Sequence, residues 1–534
     1  MKPTKVAFSQ QDSAAETSSG LAALRAIVGA QHVSTSYEDR LAASDPYAPA
    51  EWEEQMLPLA VVHPGSTEEV QALVRAANEH GLNLWPVSRG KNNGYGGQSP
   101  RSSTSVVVHL GRMNQILEIN EELAYAVVEP GVSFFDLYEA LGEIDHRLWM
   151  DCPDLGWGSV LGNALEHGIG YTNYGDRASS ICGMEVVLPT GEILRTGMGA
   201  LPDSPTWHAA KRTYGPSVDE LFMQSNLGIV TRVGVWLMPA PECYAHGIIT
   251  VPEDAHLEPL VDLCRKFVLD GTLEGQPVLF PPMAAMTMMM KKKDIHPEDG
   301  PIPAEVIAAM AKAFGLGTWN VKFPMYGREA EVDLRLETLR RAVEETIPGG
   351  AVVVQKYRGL PPLNSSQSEK VHAGVPSLDM LEMLNFLGGD QPDGHMMFSP
   401  ILPFTGRHAR EVLDLVDKAL SKLGIEYGTN FVMHGRYLTG LCLPYLPKGD
   451  VAVAERLLKA LQALIVTAAE QGYAEYRTHV LLSDVVADQL DFNNHVLMRT
   501  LESIKDALDP RGILAPGRAG IWPSHLRETG IARS

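Results

Sequence analysis

Ser88-Arg89-Gly90-Lys91-Asn92-Asn93-Gly94-Tyr95-Gly96-Gly97 follows the apolar run Leu82-Asn83-Leu84-Trp85-Pro86-Val87. Glycine lets backbone N–H groups turn inward and approach a phosphate closely. A strand feeding such a loop suits a pyrophosphate. The loop lacks the Gly-Lys-Ser/Thr of a Walker A motif, and it does not open a helix as a Rossmann fingerprint does. On its own it is equally an ordinary glycine-rich turn. The next strand is read over Thr104–Leu110.

The surroundings read as alternating helices and strands. Leu59–Val62 is a strand, Ser66 and Glu69 form a capping box for a helix to Asn78, and Leu84–Val87 follows, giving a β-α-β unit. Further strands are read at Ala124–Val128, Met184–Leu188, Ile193–Thr196 and Ile229–Leu237, and Pro239-Ala240-Pro241 marks a boundary. Beyond it helices are expected over Ala304–Phe314, Glu329–Thr346, Gly406–Leu423, Asp450–Glu470 and Val496–Leu508. Strands are expected at Ala351–Gln355, His395–Phe398 and Phe431–Met433.

At 534 residues the chain holds two domains or more. Its net charge of −21 argues against nucleic acid and anionic membrane surfaces as partners. No stretch reaches the ~18–20 apolar residues of a membrane span. Met1–Gly20 reads as a poorly ordered leader without a signal core. The five cysteines are odd in number and widely spaced, which fits a reducing compartment such as the cytoplasm and gives no metal spacing.

Three further segments could carry chemistry. In Glu475-Tyr476-Arg477 a guanidinium beside a phenol favours a phenolate, though a surface strand fits as well. Asp154 enters a glycine-spaced run and either serves a site or caps the next helix. His395 lies on an apolar strand, where a satisfied core histidine is the usual reading.

As an ordered set these segments resemble one family. The set is Lys91–Gly97, Asp151–Ser159, Gly170–Asp176, Arg195–Pro202, Gln224–Thr231, Glu475–His479 and Ala515–Pro523. It resembles the 4-phenol-oxidising flavoproteins, the vanillyl-alcohol oxidase and eugenol oxidase group, related to the flavin subunit of p-cresol methylhydroxylase. The resemblance covers roughly residues 21–530.

The resemblance implies an α+β fold. Its two-part FAD-binding domain spans residues 1–242 and 491–534, and a central cap domain over residues 243–490 covers the substrate. It implies that Ser88, Arg89, Gly90, Lys91, Asn92, Asn93, Gly94 and Gly96 cradle FAD. Ser159, Asn163, Gly170, Tyr174, Gly228, Ile229, Val230 and Arg518 are implied to bind it too. His395 matches the histidine bonded to the flavin 8α carbon. Tyr95, Tyr476 and Arg477 match the groups that hold the substrate as phenolate; Tyr171 matches a further active-site tyrosine, and Asp154 the carboxylate near flavin N5. The implied reaction is oxidation of para-substituted phenols with O2 as acceptor. The rivals are a cytochrome-coupled dehydrogenase of the same fold and a non-catalytic flavin-binding protein.

The chain also departs from the family. No tyrosine lies between Tyr357 and Tyr427, which disfavours the tyrosyl flavin link of the cytochrome-coupled relative. Asn173 replaces a usual proline, Arg436–Gly440 lacks paired histidines, and Met396 and Met397 flank His395. The segment Pro202–Trp207 is short where an octameric relative has an insertion, so a homodimer is expected.

Overall fold

The apolar run before the glycine loop becomes the strand Asn83–Val87, at one end of a four-stranded sheet. The sheet order is Val33–Ser34, Ala60–Val62, Ser105–His109, Asn83–Val87, and the last three are parallel. The computed structural model describes residues 12–45, 56–389, 393–447 and 450–528.

The β-α-β unit forms, but Ser105–His109 lies between its two strands. Its helix runs Thr67–His80, and Ser66 Oγ accepts the Glu69 N–H at 3.3 Å. The expected capping box is shifted by one residue, because the Glu69 carboxylate accepts from Gly65 N–H at 2.6 Å. An antiparallel sheet follows, ordered Ile116–Asn120, Tyr125–Val128, Ile229–Trp236, Ile181–Val187, Ile193–Arg195.

Past Pro241 the chain builds a seven-stranded antiparallel sheet. Its order is Ala351–Tyr357, Cys243–Val251, Trp319–Gly327, Val278–Phe280, Tyr427–Met433, Tyr437–Pro444, Ile401–Pro403. Side chains alternate between sheet faces. Val321, Leu279, Phe431 and Met433 pack in one cluster with helices Leu257–Leu269, Glu329–Thr346, Gly406–Leu420 and Val451–Glu470. Val278 and Val432 pack on the other side, with Tyr171, Val371 and the five-stranded sheet.

The C-terminal segment returns to the first sheet. Leu84 donates to Ile513 O and accepts from Ala515 N–H, both at 2.8 Å. Asn226 donates to Ala515 O and Ile521 O at 3.1 and 3.0 Å. Lys505, fully buried, donates to Asn226 O, Leu514 O and Asp509 Oδ2 at 2.7, 2.7 and 2.6 Å. Removing one partner of such a pair leaves an uncompensated buried charge. Lys505→Met is therefore expected to cost about 3–5 kcal/mol, read as a lower urea midpoint; an unchanged midpoint would show the clasp carries no stability.

Three expectations are corrected. Residues 12–20 belong to the helix Asp12–Val28, anchored by buried Leu24 and Val28 rather than trailing as a leader, while residues 1–11 lie outside the described residues. His395–Phe398 is not a strand: only isolated bridges form, at Gly394, Phe398 and Pro400, because the segment is wedged between the glycine loop and residues 474–480. Tyr476-Arg477 is not a surface strand but lines a cavity. All five cysteines are free and buried, and no described helix is long and apolar enough to cross a membrane.

Candidate active site

The glycine loop, the start of Ile229–Trp236 and the returning tail enclose a cleft of about 160 Å³. Its wall includes Ser88, Gly90, Lys91, Asn92, Ser159 and Asn163. Gly228, Ile229, Val230 and Arg518 also line it, and so does Arg477, which was expected in the phenolate group. Ser159 Oγ accepts the Gly162 N–H at 2.9 Å and so caps the helix Val160–Leu165. Close approach is built in: a Cβ on Gly162 would lie 2.0 Å from Ser88 Oγ. Arg89 holds the loop from behind, donating to Trp157 O at 2.9 Å and Gly131 O at 2.8 Å.

This lining fits a dinucleotide. Glycines at 90, 97, 158, 162 and 228 leave backbone exposed, and Lys91, Arg477 and Arg518 bring positive charge. Arg477 Nε is buried without a partner.

Gly94 and Gly96 are needed by geometry. Both have positive φ, +79° and +107°. A Cβ on Gly94 would sit 2.6 Å from His395 Nε2, and one on Gly96 2.7 Å from Val480. The His395 ring therefore rests on the loop's backbone. Burial lowers its pKa to about 4, which keeps the imidazole neutral and nucleophilic. Asn93, next to Gly94, buries its amide nitrogen without a partner.

Two polar groups form beyond the cleft. In the first, the Arg477 guanidinium lies 4.1 Å over the Tyr95 ring and donates to Asn92 Oδ1. Tyr95 OH bonds Ser399 Oγ at 3.2 Å. The Tyr476 hydroxyl interacts with both Tyr95 and Arg477, and burial holds its pKa well above the ordinary value, so it stays a donor. This group lines a neighbouring cavity of about 570 Å³.

The second group centres on Asp154. Its oxygens accept from Tyr171 OH at 2.6 Å and Gln367 Nε2 at 2.7 Å. The capping alternative is thereby removed, since Ser159 does that work. Tyr171 is positioned by Asp151, whose Oδ1 accepts the N–H groups of Tyr171 and Thr172 at 2.9 Å each. Arg177 Nε donates to Asp151 Oδ2 at 2.7 Å. Gly170 and Tyr174 belong to this scaffold and not to the cleft wall. A Cβ on Gly170 would lie 1.6 Å from Asp151 Oδ2, and Tyr174 packs beside Trp149. Among the described residues no hydrogen bond joins the two groups.

Residues 58–197 match a family described as an FAD binding domain. Over 472 residues the chain is 33% identical to the 4-cresol dehydrogenase [hydroxylating] flavoprotein subunit of Pseudomonas putida, covering 87% of this chain and 88% of that one. The chain belongs to the 4-phenol-oxidising flavoprotein family. It is a flavin-dependent oxidoreductase with FAD as cofactor.

Its fold is that of the family. The 4-ethylphenol oxidase from Gulosibacter chungangensis, solved with isoeugenol, superposes with a TM-score of 0.91 at 36% identity, over 96% of this chain and 99% of that one. The 1'-carboxy-chondrochloren decarboxylase of Chondromyces crocatus is 30% identical over 94% of this chain and 98% of its own. Members this similar thus carry names for different reactions, and the site must separate them.

Several residues of this 4-phenol-oxidising flavoprotein were not foreseen. Gln367 and Lys322 reach Asp154 and Tyr171 from the cap, in stretches with no motif. Gln224 adopts φ +44° and donates to Tyr476 O at 3.0 Å. Glu475 is buried, its pKa raised to about 8 by burial, and accepts the Ser399 N–H at 2.8 Å.

Proposed function

We propose that this flavoprotein oxidises para-substituted phenols, such as 4-alkylphenols or eugenol- and vanillyl-alcohol-like compounds, with O2 as acceptor and H2O2 as product. The observation that carries the reading is the group of Arg477, Tyr95 and Tyr476: one fixed cation with two phenolic hydroxyls on a cavity wall. Such donors stabilise a bound phenolate. A phenolate pushes electron density toward the para carbon and loosens a benzylic hydride. FAD, when bound, supplies the acceptor for that hydride. The product is a p-quinone methide, electrophilic at the benzylic carbon. Asp154, held by Tyr171 and Gln367, is the base that takes a proton from incoming water or from the side chain, giving hydration or desaturation.

His395 is proposed as the covalent 8α-histidyl attachment, supported by its neutral ring against Gly94. The missing tyrosines between 357 and 427 favour the histidyl link. The division into 1–242, 243–490 and 491–534 is supported by the pairing of the tail with Leu84. A homodimer is expected from the short segment at 202–207, and the five free cysteines support a cytoplasmic location.

Resemblance to the 4-cresol dehydrogenase subunit favours a second reading, electron transfer to a cytochrome. An oxygen electrode separates the two. Stoichiometric O2 uptake with 4-ethylphenol supports the oxidase; dye reduction without O2 uptake supports the dehydrogenase; anaerobic flavin that no para-alkylphenol bleaches removes both.

Asp154→Asn retains hydrogen bonding but loses basicity. Its flavin reduction is expected to slow by about 10²–10⁴-fold, the usual worth of a positioned acid or base. Asp154→Ser should further shift the alcohol-to-alkene ratio from a 4-alkylphenol. Wild-type rates and product ratios in both variants would place the base elsewhere.

A further inference from the structure

Lys322 is a half-buried lysine for which the structure gives neither a hydrogen bond nor a carboxylate at ion-pair distance among the described residues. It sits on Trp319–Gly327, in cross-strand register with Val278, which is in register with Val432. Those two valines pack toward Tyr171 and the flavin-binding half, so the Lys322 side chain is on the site face of the cap sheet. Its Nζ lies 5.2 Å over the Tyr171 ring. The side chain is half-buried and lies beside Tyr171 and Asp154.

An unpaired charge held away from water is costly, and burial lowers the Lys322 pKa, so an anion beside it would favour the charged form. Asp154 attracts Lys322 but does not pair with it, and both Asp154 oxygens are taken by Tyr171 and Gln367. His246 and His372, bonded to each other at 2.9 Å, face the same region. Burial keeps both rings neutral: His246 falls to about 4 and His372 lies well below its ordinary value. Neither supplies negative charge. One basic side chain thus stands at each of the two polar groups: Arg477, with an unpartnered Nε, beside Tyr95, and Lys322 beside Tyr171 and Asp154.

We propose that the preferred substrates are phenols whose para side chain carries a carboxylate, and that Lys322 holds that carboxylate. The inference rests on the phenol-oxidising reading above. A substrate with phenolate at one end and carboxylate at the other matches both basic side chains and leaves the benzylic CH2 between them. The hydride and proton leave as already described, and the carboxylate takes no part in bond making.

The test compares 3-(4-hydroxyphenyl)propanoate, its primary amide and 4-propylphenol on the holoenzyme, by anaerobic flavin reduction and by kcat/KM. The acid should exceed the amide by about 10- to 100-fold, the worth of a charged hydrogen bond. Lys322→Gln should abolish that preference mainly through KM, and Lys322→Arg should keep part of it. Equal kcat/KM for acid and amide in the wild type, or an unchanged ratio in Lys322→Gln, overturns the proposal. Should Lys322→Gln not fold, the wild-type ratio and Lys322→Arg decide. If 4-propylphenol reduces the flavin but the acid has no advantage, only this inference falls. If none of the three reduces it, the phenol-oxidising reading falls with it.

Discussion

Arg477→Ala is expected to slow anaerobic flavin reduction by about 10²-fold or more, the cost of losing one donor to a developing anion in a dry site. The reason lies in the packing around it. The guanidinium is stacked at 4.1 Å on Tyr95 and anchored to Asn92, so its direction is fixed before substrate arrives. Without it, a phenolate would lean on Tyr95 and Tyr476 alone. Burial keeps Tyr476 protonated far above neutral pH, so it donates a hydrogen bond but carries no positive charge. Arg477→Lys should recover only part of the rate, because an ammonium cannot reproduce a planar fork stacked on a ring. Stopped-flow reduction with a 4-alkylphenol reads both variants. Near-normal reduction in Arg477→Ala would sink the assignment of the phenolate group.

His395→Ala should change covalent flavin from complete to none. Wild-type protein precipitated with acid is expected to keep its yellow colour, and the variant to release FAD to the supernatant while still binding it before precipitation. Reduction should also slow, because the link withdraws electron density and makes the flavin a stronger oxidant. Gly94→Ala tests the same contact from the other side. Alanine would be strained at φ +79°, and its Cβ would meet the imidazole at 2.6 Å, displacing the ring. Because His395 stays neutral down to about pH 4, the fraction of covalent flavin should not fall between pH 8 and pH 5. Complete release of flavin from the wild type on acid precipitation would refute the link.

The glycine loop could be read directly, because positive φ and close backbone approach leave a mark in composition. So could most helices, whose apolar spacing and caps are local. Glu329–Thr346 forms with its expected ends, and Val451–Glu470 starts beside its Asp450 cap. The segment at 395–398 was misread because its neighbours come from distant parts of the chain. Met397 N–H bonds Gly94 O, and Tyr476 N–H bonds Ser399 O; sequence spacing carries no trace of either. At Gly170 the close approach that demands glycine is to Asp151, which sequence spacing does not reveal. Lys322 reaches the site only through the register of its strand, and Gln367 only through the packing of its short helix Gln367–Val371, neither of which leaves a mark in local sequence.

The tail's return has a consequence for biosynthesis. Ala515 and Arg518 form part of the cofactor cleft wall, and Ile513 and Ala515 pair with Leu84. A nascent chain that has emerged only as far as the cap therefore has an open cleft, whatever its first sheets have already done. Assembly of the holoenzyme must await the emergence of residues 513–518 from the ribosome. Until then, the surface that later contacts flavin is available to chaperones and proteases. Formation of the closed cleft thus depends on residues 513–518 as well as on the sheets that precede them.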